Sequence, residues 1–227
     1  MEPFMDTGDA LKLIQFKNYP KKTPFAAEWD YIICEGNIKN IVDFDKIKNL
    51  ILSKEQEVIQ SYKYTHDWGT GLGSDSMTSR SDSFNLLKLP EASELKTAIR
   101  ETYDKFLPEL GLQPEEKIYV QCWANVLRKG QVIKQHRHWF SNYAYLCGHI
   151  CVQQENTNTY YVGPYADEAF PSANETGKIT LFPAWLAHYT DSHQGNEERI
   201  TIAFDIIPKV TLIENIMEHK HEHWVEL

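Results

Sequence analysis

The pattern of hydrophobic and polar positions predicts short strands and then two helices in the first half of the chain. Short apolar runs between residues 11 and 34 predict strands that prolines and glycines separate. From 44 to 62, apolar residues recur at helical spacing behind Asp43, a residue type that often caps a helix N-terminus. The same spacing predicts a second helix over 91–106, which Pro108 ends.

The segment from Thr65 to Asp82, between these helices, follows neither period. It is rich in glycine, serine, threonine and aspartate, which indicates a long polar loop. Loops of this length often form lids or binding segments, and a mobile surface loop is an equally good interpretation.

Beyond Pro114 the pattern changes to short strands separated by glycine and proline. The predicted strands are Ile118–Val126, Gln131–Gln135, Tyr143–Val152, Thr159–Val162, Lys178–Phe182 and Arg199–Ile207. This pattern is typical of a β-sandwich or barrel. We therefore expect one domain over 1–227, with a helical N-terminal support (1–113), a β core (114–208) and a tail (209–227). Within that tail, 214–227 is expected to be a charged helix or a solvated extension with histidines at 219, 221 and 223.

Composition and charge narrow the class of protein. Hydrophobic residues make up 42% of 227 residues, enough for one self-sufficient core. The net charge of −9 argues against a nucleic-acid partner. No apolar stretch approaches the ~18 residues of a membrane span, and the N-terminal sequence lacks the pattern of a signal peptide. The four cysteines form no Cys-x-x-Cys pair, so we expect free thiols and a cytoplasmic protein.

His136 and His138 are the first candidates for chemistry. If Gln131–His138 is a strand, both side chains lie on one face and can reach one metal ion. Two exposed histidines without a function would give the same pattern.

His188 and Arg199 are the second group of candidates. His188 ends an apolar strand, so it is either a third ligand or a core residue. Arg199 begins a strand on which alternation places Thr201 on the same face, an arrangement suited to binding a carboxylate. A surface ion pair of Arg199 with Glu197 or Glu198 is the alternative.

The order and spacing of these residues resemble the Fe(II)- and 2-oxoglutarate-dependent oxygenases. Their pattern is HxD/E, a later His, and Arg about ten residues on, followed by Ser or Thr two positions later. More narrowly, 119–207 resembles a prolyl-hydroxylase-like branch that has HxH. The matching motifs are Trp123-Ala124-Asn125, His136-Arg137-His138, the run from Leu181 to His188, and the run from Arg199 to Phe204.

The resemblance implies a double-stranded β-helix, a jelly-roll fold, with N-terminal helices. It implies that His136, His138 and His188 bind Fe(II), and that 2-oxoglutarate and O2 are consumed as a substrate is hydroxylated. His138 stands where most relatives have Asp or Glu. This departure keeps the ligand count but makes the site more positive by one unit, unless His138 does not bind.

The resemblance also assigns the cosubstrate site. Arg199 and Thr201 would hold the distal carboxylate of 2-oxoglutarate, and Asn125 would contact the same molecule. Tyr145 is a candidate for the tyrosine that many relatives place on the strand after HxD, and Cys151 is the other candidate for that place.

The substrate side is expected to include two segments and several aromatic residues. The segments are 64–82 and 164–176, and the aromatic residues are Trp123, Trp139, Phe140 and Trp185, which would serve equally well as core. A small molecule or a peptide, with proline or an amino acid as the target, is the expected substrate class.

Two other functions fit part of the pattern. A cupin-type metal dioxygenase or isomerase also uses three histidines and needs no 2-oxoglutarate, but it gives Arg199 no task. A non-enzymatic jelly-roll binding protein requires neither the histidines nor the arginine.

Overall fold

The computed structural model describes residues 10–18, 20–139, 141–154, 156–163 and 169–227, except the side chains of 218 and 219. Its strands are β1 (Lys12–Lys17), β2 (Asp30–Asn37), β3 (Ile118–Leu127), β4 (Leu146–Gln153), β5 (Asn158–Val162), β6 (Ala169–Ala173), β7 (Lys178–Pro183), β8 (Ala187–Thr190), β9 (Arg199–Pro208) and β10 (Val225–Glu226). Its helices are α1 (Phe44–Ser61), α2 (Ser93–Glu109) and α3 (Lys209–Asn215), and 3₁₀ turns include Met77–Arg80 and Glu218–His223. No helix in these ranges combines the length and the apolar character that crossing a membrane requires.

The strands form two antiparallel sheets, the double-stranded β-helix that the resemblance implied. The large sheet has the order β1-β2-β7-β4-β9-β3-β10, and the small sheet has the order β6-β5-β8. A backbone bridge between His136 and His188 extends the small sheet by one position beyond β8.

Alternation along the central strands separates the core from the inner face of the large sheet. The side chains that pack with α1 and α2 are Ile118, Val120, Cys122, Ala124 and Val126 of β3, and Ile200, Ile202, Phe204 and Ile206 of β9. The intervening residues of the same strands face the small sheet. The helices therefore cover the outer face, and the inner face is left to line a cavity between the sheets.

The helices agree with the sequence pattern. Asp43 caps α1 by accepting a hydrogen bond from the Lys46 amide at 3.0 Å. The second helix does not end before Pro108 as predicted. It runs three residues further and includes Pro108 in its last turn.

The strand predictions were wrong at one place and incomplete at others. Gln131–Gln135 is irregular backbone, and β6 and β8 were not among the predicted strands. The tail is not a solvated extension: β10 pairs with β3, and Trp224 is only 8% exposed. The large sheet thus takes β1 and β2 from the N-terminal segment and β10 from the C-terminal one.

Candidate active site

Three histidine side chains converge between the two sheets. One ring nitrogen from each of His136, His138 and His188 lies within 4.8 Å of the others. The ring centroids are 4.4 to 5.5 Å apart. Three imidazoles facing one point form a donor set that suits iron and the other transition metals that imidazole binds.

Backbone pairing holds the histidines in place. His136 and His188 exchange two main-chain hydrogen bonds, at 3.1 and 2.9 Å, and the His138 amide donates to the Ala184 carbonyl at 3.1 Å. The segment 131–138 is not the strand predicted from alternation, so the shared face of His136 and His138 depends on these bonds instead.

The Nδ1 atom of each histidine already has a partner. Those of His136 and His188 lie 2.8 and 3.0 Å from the carbonyl oxygens of Lys134 and Leu186. That of His138 is hydrogen-bonded to an Asp205 carboxylate oxygen. Because carbonyl oxygens only accept, Nδ1 of His136 and of His188 carries the proton, and Nε2 is left with the lone pair that a metal needs.

Burial keeps two of the imidazoles neutral. It lowers the pKa of His136 to about 4, and the nearby His138 adds to this effect. Burial also lowers the pKa of His188 well below its usual value, with smaller contributions from His136 and His138. Burial is the largest single effect on His138 and acts in the same direction, but Asp205 and Cys147 together outweigh it and raise the pKa of His138 well above its usual range. A neutral imidazole is the form that binds metal.

Arg199 lies in the same cavity as the histidines and is 1% exposed. Its Nε donates to the side-chain oxygens of Gln154 and Thr157 at 3.0 and 3.2 Å. Nη1 has no hydrogen-bond partner, and no ion pair found among the described residues includes this arginine. The alternative of a surface pair with Glu197 or Glu198 is therefore wrong, and the buried cation is available to an anionic ligand.

Thr201 lies beside Arg199 on the cavity wall, on the face that alternation assigns to both, and Asn125 of β3 lies opposite Thr201. The Asn125 amide donates to the Thr201 hydroxyl at 3.4 Å across the β3–β9 pair. Asn125 also accepts a hydrogen bond from Thr78 of the 3₁₀ turn Met77–Arg80. The 65–82 loop therefore contributes buried residues to the site and is not only a surface segment.

Two of the proposed site residues lie elsewhere. Tyr145 packs on the helix side of the large sheet, where its hydroxyl is 2.9 Å from that of Tyr103 on α2. Trp185 packs edge-on against Tyr31, with ring centroids 5.2 Å apart, in a separate apolar cluster. Neither residue lines the cavity, whereas Trp123 and Trp139 do.

Asp205 and His149 are among the cavity residues that the sequence pattern did not indicate. Extending the alternation of Arg199, Thr201 and Ala203 by one step would have placed Asp205 on the same inner face. His149 lies on β4 opposite Ala203, and its Nε2 lacks a hydrogen-bond partner in the described part of the chain. Burial lowers the pKa of His149 to about 3, with smaller contributions from Lys178 and Arg199.

The cavity measures about 470 Å³, within the usual range for small-molecule sites. Its wall includes Trp68 and Asp82 from the loop, and Met217, Lys220 and Trp224 from the C-terminal segment. Lys220 and Asp82 approach to 3.8 Å, so the loop and the C-terminal segment meet there. Phe140 and residues 164–168 of the expected substrate side lie outside the described residues.

Comparison with solved structures shows the fold. A prolyl hydroxylase from Trichoplax adhaerens, in complex with a hypoxia inducible factor peptide fragment, is 9% identical with a TM-score of 0.53, over 81% of this chain and 86% of that one. AviO1 from Streptomyces viridochromogenes is 15% identical with a TM-score of 0.52, over 78% and 90%. The epimerase SnoN, in complex with Fe3+, alpha ketoglutarate and nogalamycin RO, is 10% identical with a TM-score of 0.50, over 76% and 78%.

Comparison of sequences gives one match. No curated protein matches the chain. Residues 121–205 match the model of the family described as "Putative 2OG-Fe(II) oxygenase", and this segment runs from β3 to Asp205 of β9 and includes all three histidines and Arg199. The match and the shared fold confirm the resemblance to the Fe(II)- and 2-oxoglutarate-dependent oxygenases, a family whose cofactors are Fe(II), 2-oxoglutarate and O2.

Proposed function

We propose that this chain is an oxygenase that couples oxidative decarboxylation of 2-oxoglutarate to hydroxylation of a small molecule or a peptide. The proposal rests on one observation: three converging histidines share a single cavity with a buried Arg199 that has no ion pair among the described residues. A three-histidine metal enzyme of the cupin type would bind metal with the same ligands, but it would have no use for a buried cation. A non-enzymatic binding protein would need neither group.

Different residues of the cavity would bind the metal and the cosubstrate. His136, His138 and His188 would hold Fe(II) through Nε2, because Nδ1 of each is engaged elsewhere. When bound, Fe(II) supplies the redox chemistry by which 2-oxoglutarate and O2 yield succinate and CO2 while one oxygen atom enters a substrate C–H bond. Arg199 would donate from Nη1 to the distal carboxylate, and the Thr201 hydroxyl would add a second hydrogen bond.

The surrounding wall would position the substrate and exclude water. Aromatic side chains at Trp68, Trp139 and Trp224 give apolar surface, and Asp82 and Lys220 give charge beside it. A peptide substrate is supported by the Trichoplax neighbour, whose structure contains one. A proline or other amino acid side chain is the proposed target.

Replacement of Arg199 tests the cosubstrate site. We expect Arg199→Gln to weaken 2-oxoglutarate binding about 10- to 100-fold, because a hydrogen bond to a charged group contributes about 1.5–3 kcal/mol. Calorimetry with Mn(II) in place of Fe(II) measures the affinity without turnover. Succinate release with Fe(II) and O2 then measures the uncoupled reaction, which should fall in the same variant.

Arg100→Gln is the matched control, because Arg100 lies on α2 and pairs with Asp104 away from the cavity. We expect this variant to bind 2-oxoglutarate as the wild type does. If the wild type binds Mn(II) but not 2-oxoglutarate, the proposal is wrong, and the cupin-type reaction becomes the better explanation.

A further inference from the structure

The three histidines differ in what their Nδ1 atoms contact. For His136 and His188 the contact is a main-chain carbonyl, which is neutral. For His138 it is the carboxylate of Asp205. The charged partner thus occurs at the one position where the motif has histidine instead of the usual Asp or Glu.

Asp205 is fixed by the sheet and not by a loop. It lies on β9 in register with Gln121 of β3 and with Cys147 of β4. Gln121 donates to its second carboxylate oxygen at 2.8 Å, and Asp205 is 3% exposed. Both oxygens are therefore engaged, and the carboxylate has little freedom to turn away from His138.

The His138 ring is held on its other side as well. It packs against Trp123, with ring centroids 5.6 Å apart, and its side chain is 6% exposed. A hydrogen bond from Nδ1–H to Asp205 leaves Nε2 directed at the point where the other two histidines converge. Such outer partners fix the tautomer and the orientation of a ligating histidine and make it a stronger donor to the metal.

We infer that Asp205 is a positioning residue of the metal site, which supplies through His138 the negative charge that a carboxylate ligand would supply directly. The inference rests on the proposed function, since it takes the three histidines as the ligands. It accounts for the HxH departure: the site keeps three imidazoles next to the metal and one carboxylate behind them, so its total charge equals that of a site with two histidines and one carboxylate.

The test makes the substitution Asp205→Asn in two backgrounds, the wild type and His138→Asp. Asp205→Asn keeps the size of the side chain and removes its charge. We expect it to weaken Mn(II) binding by tenfold or more, in the range found for outer partners of metal ligands. In a His138→Asp background the carboxylate contacts the metal directly, and we expect Asp205→Asn to change the Mn(II) affinity by less than about twofold, because the link through the imidazole is gone.

The controls separate this role from loss of folding and from other metal sites. Glu55→Gln removes another buried carboxylate, one that pairs with Arg128 outside the cavity, and we expect it to lower stability without changing Mn(II) affinity. His136→Ala gives the background binding due to histidines elsewhere, such as those at 219 and 221. The Co(II) absorption spectrum provides a second readout, which should change in Asp205→Asn and stay unchanged in Glu55→Gln.

The outcomes are distinct. Equal losses of Mn(II) affinity from Asp205→Asn in both backgrounds, or a loss no larger than that of Glu55→Gln, would overturn the role of Asp205 and leave the proposed metal site standing. Wild-type affinity equal to that of His136→Ala would overturn the proposed function as well. If His138→Asp does not fold, the comparison of Asp205→Asn with Glu55→Gln, in affinity and in the Co(II) spectrum, decides.

Discussion

At the scale of single residues, histidine takes several roles in this chain because each side chain meets a different environment. Main-chain carbonyls hold His136 and His188, and a carboxylate holds His138. His149 is buried against Tyr161 and Phe182, with centroids 6.5 and 6.2 Å away, and its Nε2 stays unpaired within the described residues. Residue type alone does not distinguish these roles, because the pKa and the free nitrogen depend on burial and partners.

The burial of His149 in its neutral form predicts how the free energy of unfolding depends on pH. Its folded-state pKa of about 3 lies below the ordinary 6.5, so between these values the unfolded chain binds a proton that the folded chain does not. The contribution of His149 to the free energy of unfolding therefore falls as the pH falls from 6.5 towards 3. His149→Gln removes this contribution, and we expect the wild type to lose up to about 1.4 kcal/mol more than the variant per pH unit.

Urea unfolding of both proteins in the presence of a chelator, at several pH values between 6.5 and 4, measures the difference. His136 and His188 remain in both proteins, so their contributions cancel. Parallel curves of stability against pH would show that His149 is not buried in its neutral form.

At the scale of secondary-structure elements, the C-terminal segment joins the sheet and lines part of the cavity. Val225 and Glu226 pair with Val120 and Tyr119 of β3. Asn85 ties the segment to β3 by donating to the carbonyls of Val120 and His223, each at 2.9 Å. The charged sequence before β10 hides this packing, because a two-residue strand has no detectable period.

Trp224 anchors this segment, since it packs with Ile207 and Leu212 and is 8% exposed. We expect Trp224→Ala to lower the free energy of unfolding by about 3 kcal/mol or more, as for other large core residues. Met217→Ala is the control in the same segment, because Met217 is 59% exposed and should change stability by less than about 0.5 kcal/mol. Equal effects in thermal unfolding would mean that the segment does not pack on the sheet.

At the scale of the whole molecule, the proposed metal site couples metal binding to folding. The three proposed ligands come from the irregular segment before β4 and from β8, so they converge only when the two sheets are assembled. A ligand that binds only the folded chain stabilises it by about 2.7 kcal/mol at a concentration 100 times its Kd.

We therefore expect Mn(II) to raise the melting temperature of the wild type, and a chelator to reverse the rise. His136→Ala should lose most of this effect, since it removes one of the three ligands. Differential scanning calorimetry over a range of Mn(II) concentrations measures it. An equal rise in His136→Ala would show that the stabilising metal binds elsewhere, for example at the C-terminal histidines.

The sequence by itself determined the parts that depend on local pattern. Helical spacing and the Asp43 cap located α1, and alternation placed Arg199 and Thr201 on one face of their strand, the face that lines the cavity. The order of the three histidines and Arg199 indicated the fold, which the solved structures share, and the family whose model matches 121–205. These inferences succeeded because periodicity states which side of an element is apolar, and motif spacing does not require knowledge of the neighbouring strand.

Only the tertiary structure decided which side chains meet. Gln121 and Asp205 are paired by the register of β3 and β9, and His138 reaches Asp205 from a segment with no regular structure. The sequence pattern places Tyr145 in a strand over 143–152, but β4 begins one residue later, at Leu146, and Tyr145 faces α2 and not the cavity. The period of the pattern shows that a strand has two faces. Contacts between residues far apart in the chain decide which face is turned to the helices and which residue lies opposite on the next strand.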